Sequence, residues 1–218
     1  MLSARVNYCA ESELAVNQLI QIHQSATLTY DHLAAVCASE QTSMPGFCKL
    51  FRLCSTRTRN IAQYWIRWQV MRGGKLQLSS VRPLLDTNEI WKSGISSLVQ
   101  QAVDVERKLE QSWRQLYEIL RTRGDISGYE LIEHLFLQNQ LGVMDLLVSH
   151  FNGLKHSQSP IMYDQENIFR LCKELRSEIG RSQGQCHFMD ENDEMIDPKH
   201  SCDGNIQEFV GGILCKYL

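Results

Sequence analysis

Proline is scarce, four in 218 residues, and glycine amounts to thirteen, with no Gly/Ser or Pro-rich tract. Collagen-like and low-complexity organisation are thereby excluded. No run of eighteen apolar residues occurs, so a membrane-spanning helix is not expected. Basic excess is missing too: 22 Lys and Arg stand against 25 Asp and Glu, a net of −3, and counterion release on nucleic acid has little to act on. The opening MLSARVNYCAESE lacks the continuous apolar core of a secretion signal, and cytoplasmic residence is the expectation. On that footing the eight cysteines, Cys9, Cys37, Cys48, Cys54, Cys172, Cys186, Cys202 and Cys215, are expected as reduced thiols, several of them in cores. What the chain does have is apolar material: 43% hydrophobic against 22% charged residues, enough for a globular core.

That material is arranged with helical period. From Ser12 to about Cys37, Val16, Leu19, Ile20, His23, Ala26, Thr27, Tyr30, Leu33, Ala34 and Cys37 recur at three and four, the buried face of a first helix. A second stripe, Phe47, Leu50, Phe51, Cys54, Thr58, Ile61, Ala62, Trp65 and Trp68, runs to Gly73-Gly74, which permits a left-handed stop. Residues 75–90 lose the period and read as one long connection. A third stripe begins at Trp91 and continues through Ile95, Leu98, Ala102, Val105, Glu106, Leu109, Trp113, Leu116 and Leu120. The fourth follows a short turn, with capping-box spacing from Ser127 to Glu130, and carries Ile132, Phe136, Gln140, Val143, Leu147, Phe151 and Leu154.

Two short joins and one long one suit an all-α four-helix bundle in which the second-to-third connection crosses the whole length. Residues 157–218 differ in composition: 11 acidic against 6 basic side chains, a net of −5, leaving +2 on residues 1–156. The expected organisation is a bundle over 1–156, an acidic and partly helical extension over 157–204, and a short terminal helix over 205–218. Helices are read from Asp164 to about Ile179 and again through Ile206, Phe209, Val210, Ile213, Leu214 and Tyr217. Between them Cys186-His187 and His200-x-Cys202 bracket five acidic residues, but the spacing fits neither zinc nor calcium, and a solvated linker is the reading.

Several stretches resemble the ferritin family, in order and spacing. They are Asn7-Tyr8 before the first helix, Met71-Arg-Gly-Gly-Lys-Leu-Gln-Leu (like the family's QRGGRI), Trp91-Lys-Ser-Gly, Glu106-Arg with Gln111-Ser112, and Leu131-Ile-Glu-His-Leu-Phe-Leu-Gln-Asn-Gln (like FIETHYLNEQ). The resemblance covers residues 7 to about 156, with a weak echo of the family's fifth helix at 205–218. It implies a ferritin-like bundle that joins a homo- or hetero-oligomeric shell of such subunits, takes in ferrous iron, oxidises it at a di-iron centre and stores ferric mineral.

Carried over position by position, the expected iron ligands are mostly replaced. His23 stands at the glutamate position of the first helix, and Arg57, Thr58 and Ile61 stand where the second helix has paired glutamates and a histidine. Tyr30, Glu106 and Gln140 match, while Asn139 replaces a glutamate. No Glu-x-x-His occurs anywhere, and residues 41–85 contain eight basic side chains and no acid. Two placements of Arg57 stay open: buried against Glu106, with Tyr30 or His23 completing the hydrogen bonds, or turned outward beside a core histidine. Glu130 and Glu133 coincide with the acidic pair of the family's entry channel; read without the resemblance they are acids complementing a helix dipole. Three functions remain: an iron-storage subunit without its own ferroxidase activity, a ferroxidase with rearranged ligands at His23, Tyr30, Glu106 and Gln140, or an iron-independent structural protein.

Overall fold

The computed structural model describes residues 5–175. The readings that fall beyond, from the end of the 164–179 helix through the acidic linker to the terminal helix, lie outside the described residues. Four long rods pack side by side. They are α1 (Ala10–Ala38), α2 (Pro45–Met71), α4 (Ile95–Thr122) and a fourth rod made of α5 (Ile126–Leu131), a π-helical segment (Ile132–Leu137) and α6 (Gln138–His156). At 1.5 Å per residue, α1 with its 29 residues is about 43 Å long.

The joins follow local chemistry. Cys9 caps α1 by accepting from the Ser12 amide, and α2 starts on Pro45, where a missing N–H costs nothing. After α2 the chain turns through Gly73 at φ 74°, a conformation that suits a residue without Cβ. The long connection then climbs α1, and its backbone bonds to side chains on one face of that helix. Asn17 donates to Lys75 O at 3.1 Å and accepts from Gln77 N at 3.0 Å, Gln21 donates to Ser80 O, and Thr29 accepts from Leu84 N at 2.8 Å. Three polar residues of α1 thus rail the crossover into place.

Three expectations need correcting. The connection is interrupted by a short helix, α3 (Thr87–Lys92), capped by Asp86. The third predicted helix does not start at Trp91: Ser93 and Gly94 are extended, α4 begins at Ile95, and Trp91 is half exposed. The fourth rod is capped by Asp125, which accepts from Gly128 N, and not by a Ser127–Glu130 box. Asp125 is better placed because Arg72 holds it in a two-pronged ion pair at 2.9 and 3.0 Å.

After α6, residues 160–175 remain helical, through α7 (Pro160–Tyr163) and a second π-helical segment (Asp164–Ile168). This first part of the extension packs into the bundle, burying Ile168, Cys172 and Leu175 with Phe47, Leu50 and Phe51 of α2. Asp164 explains the docking: its two oxygens accept from Gly46 N at 2.8 Å and Phe47 N at 2.7 Å, filling a helix N-terminus that has no cap of its own. Gly46 is required there, since a Cβ would fall 2.5 Å from the Asp164 carbonyl oxygen. Among the described residues, no helix is long and apolar enough to cross a membrane.

Candidate functional site

The apolar interior is divided into two clusters. One gathers Phe47, Leu50, Phe51, Leu98, Leu109 and Leu147; the other is aromatic, with Trp65, Trp68, Trp113 and Phe136. Polar side chains from all four rods meet in the bundle interior: His23, Thr27, Tyr30, Arg57, Thr58, Glu106 and Gln140 are all buried. All but Arg57 lie on the stripes that helical period marks as buried; Arg57 adjoins its stripe, and packing against Glu106 brings it inside.

Glu106 is the hub. Its Oε1 accepts from Arg57 Nη2 at 2.5 Å and from the Tyr30 hydroxyl, and its Oε2 accepts from Arg57 Nη2 at 2.6 Å and Gln140 Nε2 at 2.5 Å. The Gln140 amide also donates to the Glu106 backbone oxygen at 3.0 Å. The Arg57 side chain is 4% exposed and that of Glu106 is 0%, so the outward placement of Arg57 is ruled out. Burial pulls on the Arg57 guanidinium to lose its proton, but attraction to Glu106 outweighs that and holds it above its ordinary value. Burial, reinforced by Glu106, raises the Tyr30 hydroxyl well above the usual range, so it stays a donor. Burial also pushes the neighbouring Cys54 thiol up to about 12.

His23 stands apart from this network. Its Nδ1 lies 2.9 Å from Leu19 O, and since a carbonyl only accepts, Nδ1 carries the hydrogen. The ring meets Trp113 edge-on at 4.9 Å, and burial depresses its pKa to about 3, leaving it neutral. Of the two candidates for completing the ion pair, Tyr30 does so and His23 does not. Thr58 bonds to Thr27 across the α1/α2 seam at 2.9 Å, and Ile61 is absorbed into the aromatic cluster. Among the described residues, no group of three or more His, Cys, Asp or Glu side chains gathers where it could hold a metal ion.

Glu130 and Glu133 lie at the surface of the fourth rod, exposed, with Glu133 accepting from Tyr117 at 3.3 Å. Three participants in the interior were not singled out from sequence: Thr27, Cys54 and the cap Asp164. Thr27 and Cys54 lie on the predicted stripes, where only the reach of a polar neighbour would have marked them; Asp164 caps a helix 118 residues away, and no local pattern encodes that.

Comparison with known proteins agrees with this architecture. Residues 13–156 match the family model described as "Ferritin-like domain". The soma ferritin of Lymnaea stagnalis is 29% identical over 168 residues, 76% of this chain and 95% of that protein. The ferritin middle subunit of Salmo salar is 24% identical, covering 75% and 95%, and the oocyte isoform of the ferritin light chain of Xenopus laevis is 26% identical, covering 69% and 84%. With the family's model spanning most of the chain and the rods, crossover and interior register all in place, this chain belongs to the ferritin family.

Proposed function

We propose that this chain is an iron-storage subunit that lacks ferroxidase activity of its own and works in the cytoplasm by co-assembling with oxidation-competent ferritin subunits. One observation carries the reading: the carboxylate at the centre of the bundle, Glu106, already binds a guanidinium, with Tyr30 and Gln140 occupying the rest of its hydrogen-bonding capacity. The donor set does not fit a pair of iron ions. Hard cations want several anionic oxygens. Here a single carboxylate is shared with a permanent cation, and the other positions hold a threonine, an isoleucine and a histidine turned to a backbone carbonyl. Bringing a divalent ion to about 4 Å from Arg57 costs roughly 8 kcal/mol of repulsion at an effective dielectric of about 20, twice the unit-charge figure.

Iron would reach the shell's interior past the exposed acids Glu130 and Glu133, whose charge attracts hydrated cations. The absence of acids over residues 41–85 argues against mineral nucleation by α2 of this subunit. The test is stopped-flow oxidation of ferrous iron, by the pure protein and by mixtures with a ferroxidase-competent ferritin, with light-scattering mass and metal analysis of each peak. Expected are no oxidation above buffer for the pure protein and a mixed, iron-loaded shell for the mixture. Turnover by the pure protein that Glu106→Ala abolishes would return the site to catalysis. Neither co-elution nor iron would assign the chain a structural role.

A further inference from the structure

Where the helical segment 160–175 lies against α2, a depression of about 310 Å³ opens between Lys49, Phe169, Cys172 and Lys173. Its surface is apolar apart from two cations. Phe169 is 36% exposed and forms one wall, Cys172 is fully buried, and Lys49 and Lys173 complete the lining. The Lys49 ammonium is held 3.3 Å from the centre of the Phe169 ring. A ring face attracts a cation but does not neutralise it. Among the described residues neither Lys49 nor Lys173 forms an ion pair. Asp164, the carboxylate whose charged form Lys49 favours, is buried, with both oxygens bound to the Gly46 and Phe47 amides. Arg52, exposed and one turn further along α2, adds positive charge, and no acid from residues 41–85 offsets it.

Two lysines therefore line an apolar depression of about 310 Å³, near the lower end of the 300–1,000 Å³ range typical of small-molecule sites. We propose that this depression binds a small amphiphilic anion, its carboxylate between Lys49 and Lys173 and its alkyl chain across Phe169. The headgroup gains two charge-assisted hydrogen bonds, and the chain covers the exposed part of Phe169. The site is separate from the Arg57–Glu106 network and does not depend on how the shell handles iron.

Calorimetric titration of the full chain with octanoate tests it, with octan-1-ol and inorganic phosphate as the arms that remove the charge and the chain. Octanoate is expected to saturate at one per chain and to weaken in high salt, with both other probes about tenfold weaker or more, as the loss of 1.4 kcal/mol dictates. Lys49→Met with Lys173→Met is expected to weaken octanoate about tenfold, and Lys49→Arg to retain it. Should Lys49→Met disturb the α2 junction by circular dichroism, Lys173→Met alone, at an exposed position, is expected to lower affinity at least about threefold. Octanol or phosphate binding as tightly as octanoate, no saturable octanoate binding, or binding unchanged by the lysine substitutions would each overturn the proposal.

Discussion

A single nitrogen of Arg57, Nη2, straddles the carboxylate of Glu106, 2.5 Å from one oxygen and 2.6 Å from the other, with both side chains out of water. Such a pair is costly to break, since removing one partner strands a charge, while removing both strands no charge and leaves only the neutral donors of Tyr30 and Gln140 without the carboxylate. Glu106→Gln is therefore expected to lose about 3–5 kcal/mol of folding stability. Arg57→Met combined with Glu106→Leu, which strands no charge but leaves the Tyr30 hydroxyl and Gln140 amide without the carboxylate, is expected to lose less stability than Glu106→Gln alone. Urea denaturation followed by helical circular dichroism reads both, and a double variant as unstable as the single one would show that the polar network is indispensable to the packing.

His23 predicts a pH dependence. Its folded pKa is depressed from 6.5 to about 3, chiefly by burial, so between those values the unfolded chain binds a proton that the folded one refuses. Stability contributed by the neutral ring is complete above pH 6.5 and is lost as pH falls, by up to about 1.4 kcal/mol per unit. His23→Gln, which does not titrate, is expected to flatten the curve between pH 6.5 and 5. Denaturation midpoints for the two proteins across that window check the difference, and parallel curves would mean that the ring is protonated in the fold.

The bundle was legible because period and spacing are local: Val16, Leu19, Ile20 and Tyr30 announce a buried stripe whatever they pack against. Glu106 was legible for the same reason, as a core position of an otherwise apolar face, whereas Arg57 lies off the stripe read for α2 and stood out only through the family resemblance. Their partnership was one of two open placements, and only tertiary packing decides between them. The break at Ser93-Gly94 was hidden by the continuity of the apolar pattern across it, with Trp91 reading as core although its side chain points half into solvent. Asp164 was illegible as a cap because its partners, Gly46 and Phe47, are distant in sequence and are recognised through backbone amides that carry no residue identity.

That cap makes a prediction for the junction of α2 with the helical extension. Asp164→Ala leaves the Gly46 and Phe47 amides without acceptors and is expected to cost about 1–2 kcal/mol, as lost helix caps do. Asp164→Asn, which keeps one acceptor oxygen, is expected to cost less. Gly46→Ala acts from the other side: its Cβ would stand 2.5 Å from backbone and 2.8 Å from the carboxylate of Asp164, so the extension must shift, at about 1–3 kcal/mol. Limited proteolysis is expected to release residues beyond 160 faster in Asp164→Ala and Gly46→Ala than in the parent. Equal cleavage rates would place the anchor of the extension in its apolar contacts alone.

If Arg57 is what keeps metal out of the interior, removing it and restoring ligand spacing should let metal in. Thr58→Glu with Ile61→His lays a Glu-x-x-His pair on the core face of α2, across from Glu106, and Arg57→Gln removes the competing charge. Without metal the triple variant is expected to be less stable than the parent, because it buries a new carboxylate with no cation beside it. Anaerobic ferrous iron is then expected to stabilise it by about 2.7 kcal/mol at a hundredfold excess over Kd, while the parent's unfolding midpoint stays where it was. A parent stabilised as much as the variant would mean that its interior binds the metal with Arg57 in place, and the assignment of Arg57 as the substitute for iron would fail.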